Sequence, residues 1–361
     1  MPPAEAPGVL KARIIEEIRA KGPMPVARYF EIAVADPEAG YWQRRSIIGA
    51  GGDFVTAPEI SQIFGELLGL WCAGAWQSMG MPPSVRLVEL GPGRGTLMRD
   101  VLRTLRRALP AMHAGLHVHL VELSAPFRAA QAELLAGFTA AADPVWHDDL
   151  SQVPPAPAIV IANEFLDELP VRQLVRAQGH WRERVVTCDA AGALAFGLGD
   201  VVDAEGLGPA EEGAIAELRE GEAPLLATLA ARAAPTAALF IDYGPEDARF
   251  GDTLQAMRRH AYEDPLADPG TCDLTAHVQF ARFAEAARAA GFAVDGPMVQ
   301  AEFLGAMGLA IRASRLMSAN PSEAAAIELA AQRLIAPTGM GSLFKVLALR
   351  SPHLPPAPPF A

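Results

Sequence analysis

Long apolar runs are missing from this 361-residue chain: no stretch approaches the roughly 20 residues that a helix needs to cross a bilayer. Cysteine is scarce. Cys72, Cys188 and Cys272 stand far apart without Cys-x-x-Cys spacing, so neither a disulfide framework nor a zinc site is implied. His113, His117 and His119 lie close together but have no acidic or cysteine companions at ligand spacing, and no metal is expected. Clusters of Lys and Arg are also missing. With 30 basic against 42 acidic residues the net charge is −12 and the pI near 5.2, which argues against nucleic acid as the main partner and suits a basic protein substrate. The opening Met1-Pro-Pro-Ala-Glu-Ala-Pro7 shows neither a charged segment before an apolar run nor an Arg-rich amphipathic presequence, from which a cytoplasmic, bacterial-type protein is expected. What is present is ample core material. At 51% hydrophobic residues, the chain can build one large α/β domain with insertions or two modest ones.

The most informative stretch is Val85-Arg-Leu-Val-Glu-Leu-Gly-Pro-Gly-Arg-Gly-Thr96. An apolar strand empties into Gly91, Gly93 and Gly95 ahead of a helix-compatible segment. Glycine takes the positive φ of a tight turn and lets backbone lie against a ligand, while the following helix points free N–H groups at the same place. A dinucleotide fingerprint would carry its third glycine one position later, where Thr96 stands. Glu89, two residues before the first glycine, would be awkward beside a pyrophosphate but favourable beside a sulfonium and an ammonium. The pattern Glu-x-Gly-x-Gly-x-Gly is similar to the S-adenosyl-L-methionine (SAM) sites of class I methyltransferases. A tight turn without a ligand is the plainer alternative.

From residue 85 the pattern alternates: strands at 85–90, 117–122, 144–146, 156–162 and 237–244, with helices at 96–109 and 125–137. Such alternation predicts a mostly parallel sheet covered on both faces. Glu122 ends the second strand, where an acid hydrogen-bonds ribose hydroxyls in doubly wound folds. Asp148 and Asp149 follow the third strand beside Trp146, placed to accept from an adenine amino group. Before the sheet, residues 9–35 predict two helices broken at Gly22-Pro-Met-Pro25, and 58–80 a long helix. The apolar stripes of the first two helices would permit a homodimer or packing on the core. Residues 172–200 predict a hairpin insertion around Gly179 and Gly192, and 209–232 a helix.

Chemistry is expected after the fourth strand, at Asn163-Glu-Phe-Leu-Asp-Glu-Leu-Pro-Val171. Crowded carboxylates are costly unless something cationic relieves them. A guanidinium would: it is planar, offers paired donors, and must lose a proton as its nitrogen is methylated. Glu164 is the first candidate for clamp or base and Asp167 the second. The competing reading is a helix N-terminus whose acids favour the dipole.

Six ordered blocks then carry a family resemblance: Gly52-Asp-Phe-Val-Thr-Ala-Pro-Glu-Ile-Ser61 with Phe64-Gly-Glu66, Glu89-Leu-Gly-Pro-Gly-Arg-Gly-Thr96, Asn163-Glu-Phe-Leu-Asp-Glu-Leu-Pro-Val171, Ile241-Asp-Tyr-Gly244, Asp273-Leu-Thr-Ala-His-Val278, and Met340-Gly-Ser-Leu-Phe-Lys-Val346. They span nearly the whole chain, which resembles the MidA-like class I methyltransferases, a family with a mitochondrial complex I assembly branch. The resemblance implies a Rossmann-like α/β fold: a mostly parallel seven-stranded sheet with helices on both faces, an N-terminal helical extension and an inserted substrate-side region. The implied division is 1–80 for the extension with a lid over the cofactor, and 81–361 for the methyltransferase domain with an insertion at about 172–235. The implied reaction is SAM-dependent dimethylation of an arginine on the 49-kDa-type, quinone-side subunit of NADH:quinone oxidoreductase (complex I). Thr56 and Glu59 would face the cofactor from the lid, or else form an ordinary capping box. Asn163 joins the cofactor residues. His277 would accept a proton in the substrate channel, or else pack in a helix capped by Thr275. A small-molecule methyltransferase and a SAM-binding assembly protein without turnover stay open as alternatives. A nicotinamide-dependent dehydrogenase is disfavoured by the shifted glycine and by Glu89.

Overall fold

The run Val85–Leu90 is apolar at all but Arg86 and Glu89, a composition that suits a strand covered on both faces. It is β1 of a seven-stranded sheet completed by β2 (Leu116–Val121), β3 (Val145–His147), β4 (Ala158–Asn163), β5 (Thr236–Tyr243), β6 (Ala293–Val299) and β7 (Phe344–Arg350). The spatial order is β6-β7-β5-β4-β1-β2-β3. β1, β2, β3, β4 and β5 pair in parallel, while β7 runs antiparallel between β5 and β6. This is the doubly wound α/β architecture expected. The strand order reverses between β1 and β4, so a crevice opens beyond their carboxyl ends, the place where such sheets bind ligands. The computed structural model describes residues 8–43, 55–139 and 141–361.

One face of the sheet, built from Val85, Leu87, Val118, Leu120, Ile159 and Ile161, joins a core with the helices Gln62–Ser78 and Thr96–Ala108. On the other face, Phe240 of β5 meets Phe283 of the helix Phe280–Ala289 edge-on at 5.0 Å. The long helix predicted over 58–80 is interrupted. Ser61 is extended and its hydroxyl accepts from the Ile63 N–H, so Ala57–Ile60 and Gln62–Ser78 are separate helices.

The chain divides into two compact units, each gathered from three stretches. The sheet belongs to Val55–Leu166, Leu225–Asp247 and Val278–Ala361; the other unit takes Met1–Phe54, Asp167–Pro224 and Ala248–His277. Residues 55–80, expected with the N-terminal extension, thus cluster with the sheet. In the other unit, helices Val9–Lys21 and Val26–Ala35 break at Gly22 as predicted, where φ is 92°. Leu10, Ile14 and Ile18 of the first helix are buried in a core with Tyr29, Phe30 and Val186. Their stripe is therefore consumed inside the unit and gives no reason to expect a homodimer.

A hairpin forms over the stretch where one was expected, and it extends to a third strand: Arg172–Ala177 returns as His180–Cys188, which pairs again with Leu194–Val202. The helix predicted over 209–232 is corrected. Gly213 and Gly221 interrupt the helical pattern, and Ile215–Leu218 pairs with Arg172 to Val175 as a strand instead. A helix follows only at Glu222–Ala230. Sheet pairing with a neighbour distant in sequence outweighs local helix propensity here.

Candidate active site

Beyond β1 the backbone turns through Gly91, Gly93 and Gly95 with φ of 61°, 51° and 85°. A side chain would be strained at each. The space is tight as well: a Cβ on Gly91 would lie 3.0 Å from the Phe165 ring, and one on Gly95 3.2 Å from Gln131 Cγ. Gly95 stands at the N-cap of Thr96–Ala108, whose first N–H groups face away from the helix body. Glu89 precedes the loop on β1, only 3% exposed, and its Oε2 has no hydrogen-bond partner. Burial first, and then the charge of Glu122, raise its pKa to about 8. Glu122 is buried too, and burial raises it to about 7 although the Ser124 N–H and Gln131 Nε2 donate to it at 2.8 and 3.1 Å. Among the described residues no ion pair relieves Glu89, so the site has the charge deficit that a bound cation would fill. The sulfonium and ammonium of SAM fit that donor set.

Gln131 organises this rim and was not read from the sequence. Completely buried, it donates to the Gly93 carbonyl at 2.6 Å and to Glu122, and accepts from Trp146 Nε1 at 2.7 Å. The signal was a polar residue in a buried stripe: Phe127, Gln131 and Leu135 recur every four residues on one helix. Arg128 on the same helix donates from Nε to the Glu122 carbonyl at 2.7 Å and from Nη2 to Asp148 at 2.5 Å. Asp148 is exposed and held in that ion pair, while Asp149 spends one carboxylate oxygen on the Ser151 N–H, capping a short turn.

After β4 the chain does not enter a helix, so the dipole explanation for these acids falls away. Glu164 instead adopts φ of 51°, a left-handed conformation uncommon outside glycine and a form of strain found at functional sites. Asp242, 1% exposed at the end of β5, holds the bend: its Oδ2 accepts from the Phe165 and Leu166 N–H groups at 3.1 and 2.8 Å. Glu164 Oε1 accepts from Asn163 Nδ2 at 2.9 Å and from the Ala57 N–H at 3.2 Å. Burial raises its pKa to about 7, against those two hydrogen bonds and with the Asp242 charge adding to the rise. Asn163 is buried and its Oδ1 has no partner.

Thr56 precedes the short helix Ala57–Ile60 but its side chain makes no cap bond. Glu59 does not close a capping box either; it accepts from Thr96 Oγ1 at 2.5 Å, tying this helix to the one that follows the glycine loop. Gly51, Gly52, Asp53 and Phe54 of the expected lid lie outside the described residues. Thr56, Glu59, the glycines, Glu89, Glu122, Asn163 and Glu164 all belong to the sheet unit. Asp167 and His277 belong to the other. There Asp167 is buried and its carbonyl accepts from the Ala276 N–H at 2.9 Å. The His277 N–H donates to Thr253 Oγ1 at 2.9 Å. Thr275 caps no helix: Asp273–Thr275 is a strand paired with Gln255 to Met257, and the next helix begins at Phe280.

Known proteins are similar to this chain over most of its length. Residues 67–298 match the family model of S-adenosyl-L-methionine-dependent methyltransferases. The zebrafish (Danio rerio) mitochondrial protein arginine methyltransferase NDUFAF7 is 35% identical over 93% of this chain and 85% of its own. The human protein of the same name is 35% identical over 97% of this chain and 85% of its own. A solved COG1565-superfamily protein from Burkholderia thailandensis, bound to S-adenosyl-homocysteine, superposes with a TM-score of 0.86 at 32% identity, covering 96% of this chain and 93% of that one. The names of the curated relatives include the word mitochondrial, which overturns the expectation of a cytoplasmic location. That expectation rested on a leader not being evident, and leaders are separable from the fold they deliver. Among the described residues no helix is long and apolar enough to cross a membrane.

Proposed function

The chain belongs to the family of S-adenosyl-L-methionine-dependent methyltransferases, and from that premise we propose that it methylates an arginine of a protein, with the quinone-side subunit of complex I as the substrate. The observation that carries this reading is Glu164: a strained, half-buried carboxylate at the switch point of the sheet, raised to about 7. When bound, SAM supplies an electrophilic methyl group on a sulfonium. Glu89, Glu122, Asn163 and the three glycines would hold it, with Thr56, Glu59, Asp148 and Asp149 as further cofactor residues. Glu164 would pair with the substrate guanidinium, orient one nitrogen, and accept the proton that nitrogen releases as the new N–C bond forms and the methyl–sulfur bond breaks, the sulfur leaving as a neutral thioether. A carboxyl near 7 is matched to that task, because it is substantially ionised at neutral pH and still basic enough to take a proton. Asp167 and His277 belong to the proposal as further groups on the substrate. So do an inserted substrate-side region at 172–235 and a lid upstream of residue 80.

The test is transfer of radiolabel from SAM to the purified quinone-side subunit, followed by mass spectrometry of the labelled peptide. A single dimethylated arginine is the expected result. Label on no protein, with SAM still bound in calorimetry, would overturn the assignment in favour of a small-molecule substrate or of binding without turnover.

A further inference from the structure

A second group of polar side chains lies on the sheet away from the glycine loop, and it is basic. The register sets it out. Arg86 of β1 pairs with His117 of β2, His119 of β2 pairs with Val145 of β3, and His147 follows Val145 by two. Paired residues share a side of the sheet and so do residues two apart, so Arg86, His117, His119 and His147 all face the side opposite Leu87, Val118 and Leu120. His119 Nδ1 and His147 Nε2 are in hydrogen-bond contact at 2.9 Å, and the two rings stack with centroids 5.1 Å apart. From the loop beneath, the Pro157 carbonyl accepts from the Arg86 N–H at 2.8 Å, while the Val153 and Pro154 carbonyls accept from Arg232 at 3.2 and 3.1 Å. One short segment therefore brings the two arginines to the same part of the face.

These groups are left with donors to spare. Among the described residues, the buried Nε and Nη1 of the Arg86 guanidinium have no hydrogen-bond partner. Arg232 Nε is buried without a partner, and so is His119 Nε2 on a residue only 5% exposed. No ion pair involves Arg86 or Arg232 among the described residues. Arg86 and Arg232 are close enough that the like charge, after burial, lowers the Arg232 pKa. Burial and the charges of His147, Arg86, His117 and Arg232 hold His119 at about 4. Half-buried cations without an ion pair, with some of their N–H groups shut off from water, are costly features for a fold to carry.

The connection that should cover this place is unusually spare. Parallel strands are ordinarily joined by a crossover helix, but β3 and β4 are joined by a segment with only the short turn Leu150–Gln152. Val145 stays 45% exposed on the same side, so the face is open at that edge.

We propose that Arg86, His119, His147 and Arg232 form a binding site for a small oxyanion of the phosphate type, separate from the methyl-transfer rim. Arg86 is the second residue of β1 and Gly91 follows its end, a separation of roughly 16 Å along the strand. Guanidinium groups match the paired oxygens of such an anion, and a neutral imidazole can donate its free N–H.

The test is thermal unfolding of the purified protein in sodium phosphate against sodium chloride of equal ionic strength, with glycerol phosphate as a third arm. Inorganic phosphate is expected to raise the midpoint by a few degrees in a saturable way. A shift at lower concentration with glycerol phosphate assigns the site to an organic phosphate, and the reverse to the free ion. Arg86→Gln and Arg232→Gln are expected to abolish the shift while keeping S-adenosyl-homocysteine binding, which reports that each variant folds. Arg86→Gln is further expected to unfold at a higher temperature than the parent in phosphate-free buffer, because an unpaired buried charge has gone. In the parent protein, phosphate should also move the ring signals of His119 and His147 in NMR spectra. Equal midpoints in phosphate and chloride, a shift retained in both variants, or histidine signals that stay in place would overturn the site.

Discussion

Glu89 and Glu164 are both carboxyls held above their ordinary range, yet their surroundings assign them different work. Glu89 has an unpartnered oxygen and a second carboxylate, Glu122, acting on it. Its folded pKa near 8 lies above the unfolded value of 4.5, so between these the folded chain holds a proton that the unfolded chain has lost. The stability this group contributes is complete below the unfolded value and is lost as pH rises toward 8. Thermal midpoints of the ligand-free protein should therefore fall between about pH 5 and about pH 8, less steeply in Glu89→Gln. In calorimetry the same variant should bind SAM about ten- to a hundredfold more weakly, the cost of losing a charge-assisted contact. Unchanged affinity would mean that Glu89 does not face the cation. Glu164, by contrast, already accepts two hydrogen bonds, and a glutamine oxygen can keep the one from Ala57. Glu164→Gln should slow methyl transfer by on the order of a hundredfold or more with SAM affinity kept. The parent rate should climb as pH rises through about 7, where this carboxyl ionises; a flat profile would remove it from the role of base.

Two connections, rather than the strands they follow, hold the site together. The loop after β1 depends on left-handed glycines, and Gly91→Ala would add both an unfavourable φ and a Cβ 3.0 Å from Phe165. A stability loss of about 1–2 kcal/mol is expected from the backbone alone, read as a lower midpoint in denaturant. The bend after β4 depends on Asp242, which accepts backbone N–H groups from Phe165, Leu166 and Tyr243. In Asp242→Asn one oxygen becomes a donor facing another donor, and a loss of about 1–3 kcal/mol is expected. If transfer activity survives that change intact, the bend does not position Glu164.

At the level of the whole molecule the charge is −12, an excess of acid that attracts arginine-bearing segments. Adding salt should raise KM for a basic arginine peptide more than it lowers kcat, since screening acts on encounter rather than on the reacting groups. An unaltered KM would separate substrate capture from the net charge. Each compact unit is assembled from three stretches of chain. Domain boundaries drawn as single cuts along the sequence therefore could not match the units, and residues 55–80 went to the sheet rather than to the extension.

Local rules were enough for the five parallel strands, the helix break at Gly22, the hairpin at Gln178-Gly179 and the glycine loop, because hydrophobic period and backbone permissiveness act within a few residues. They were enough, too, to place Glu89 and Glu164 at the carboxyl ends of parallel strands. They failed over 209–232, where pairing with Arg172 to Val175 drew an apparent helix into a strand, and at Thr275, which the partner strand Gln255–Arg258 took before a helix could. Gln131, Asp242 and the Arg86–His119 cluster were out of reach for a related reason. Each acquires its meaning from atoms dozens of residues away, and whether a polar group in a core is satisfied, a brace or an open site is decided only when the sheet closes around it.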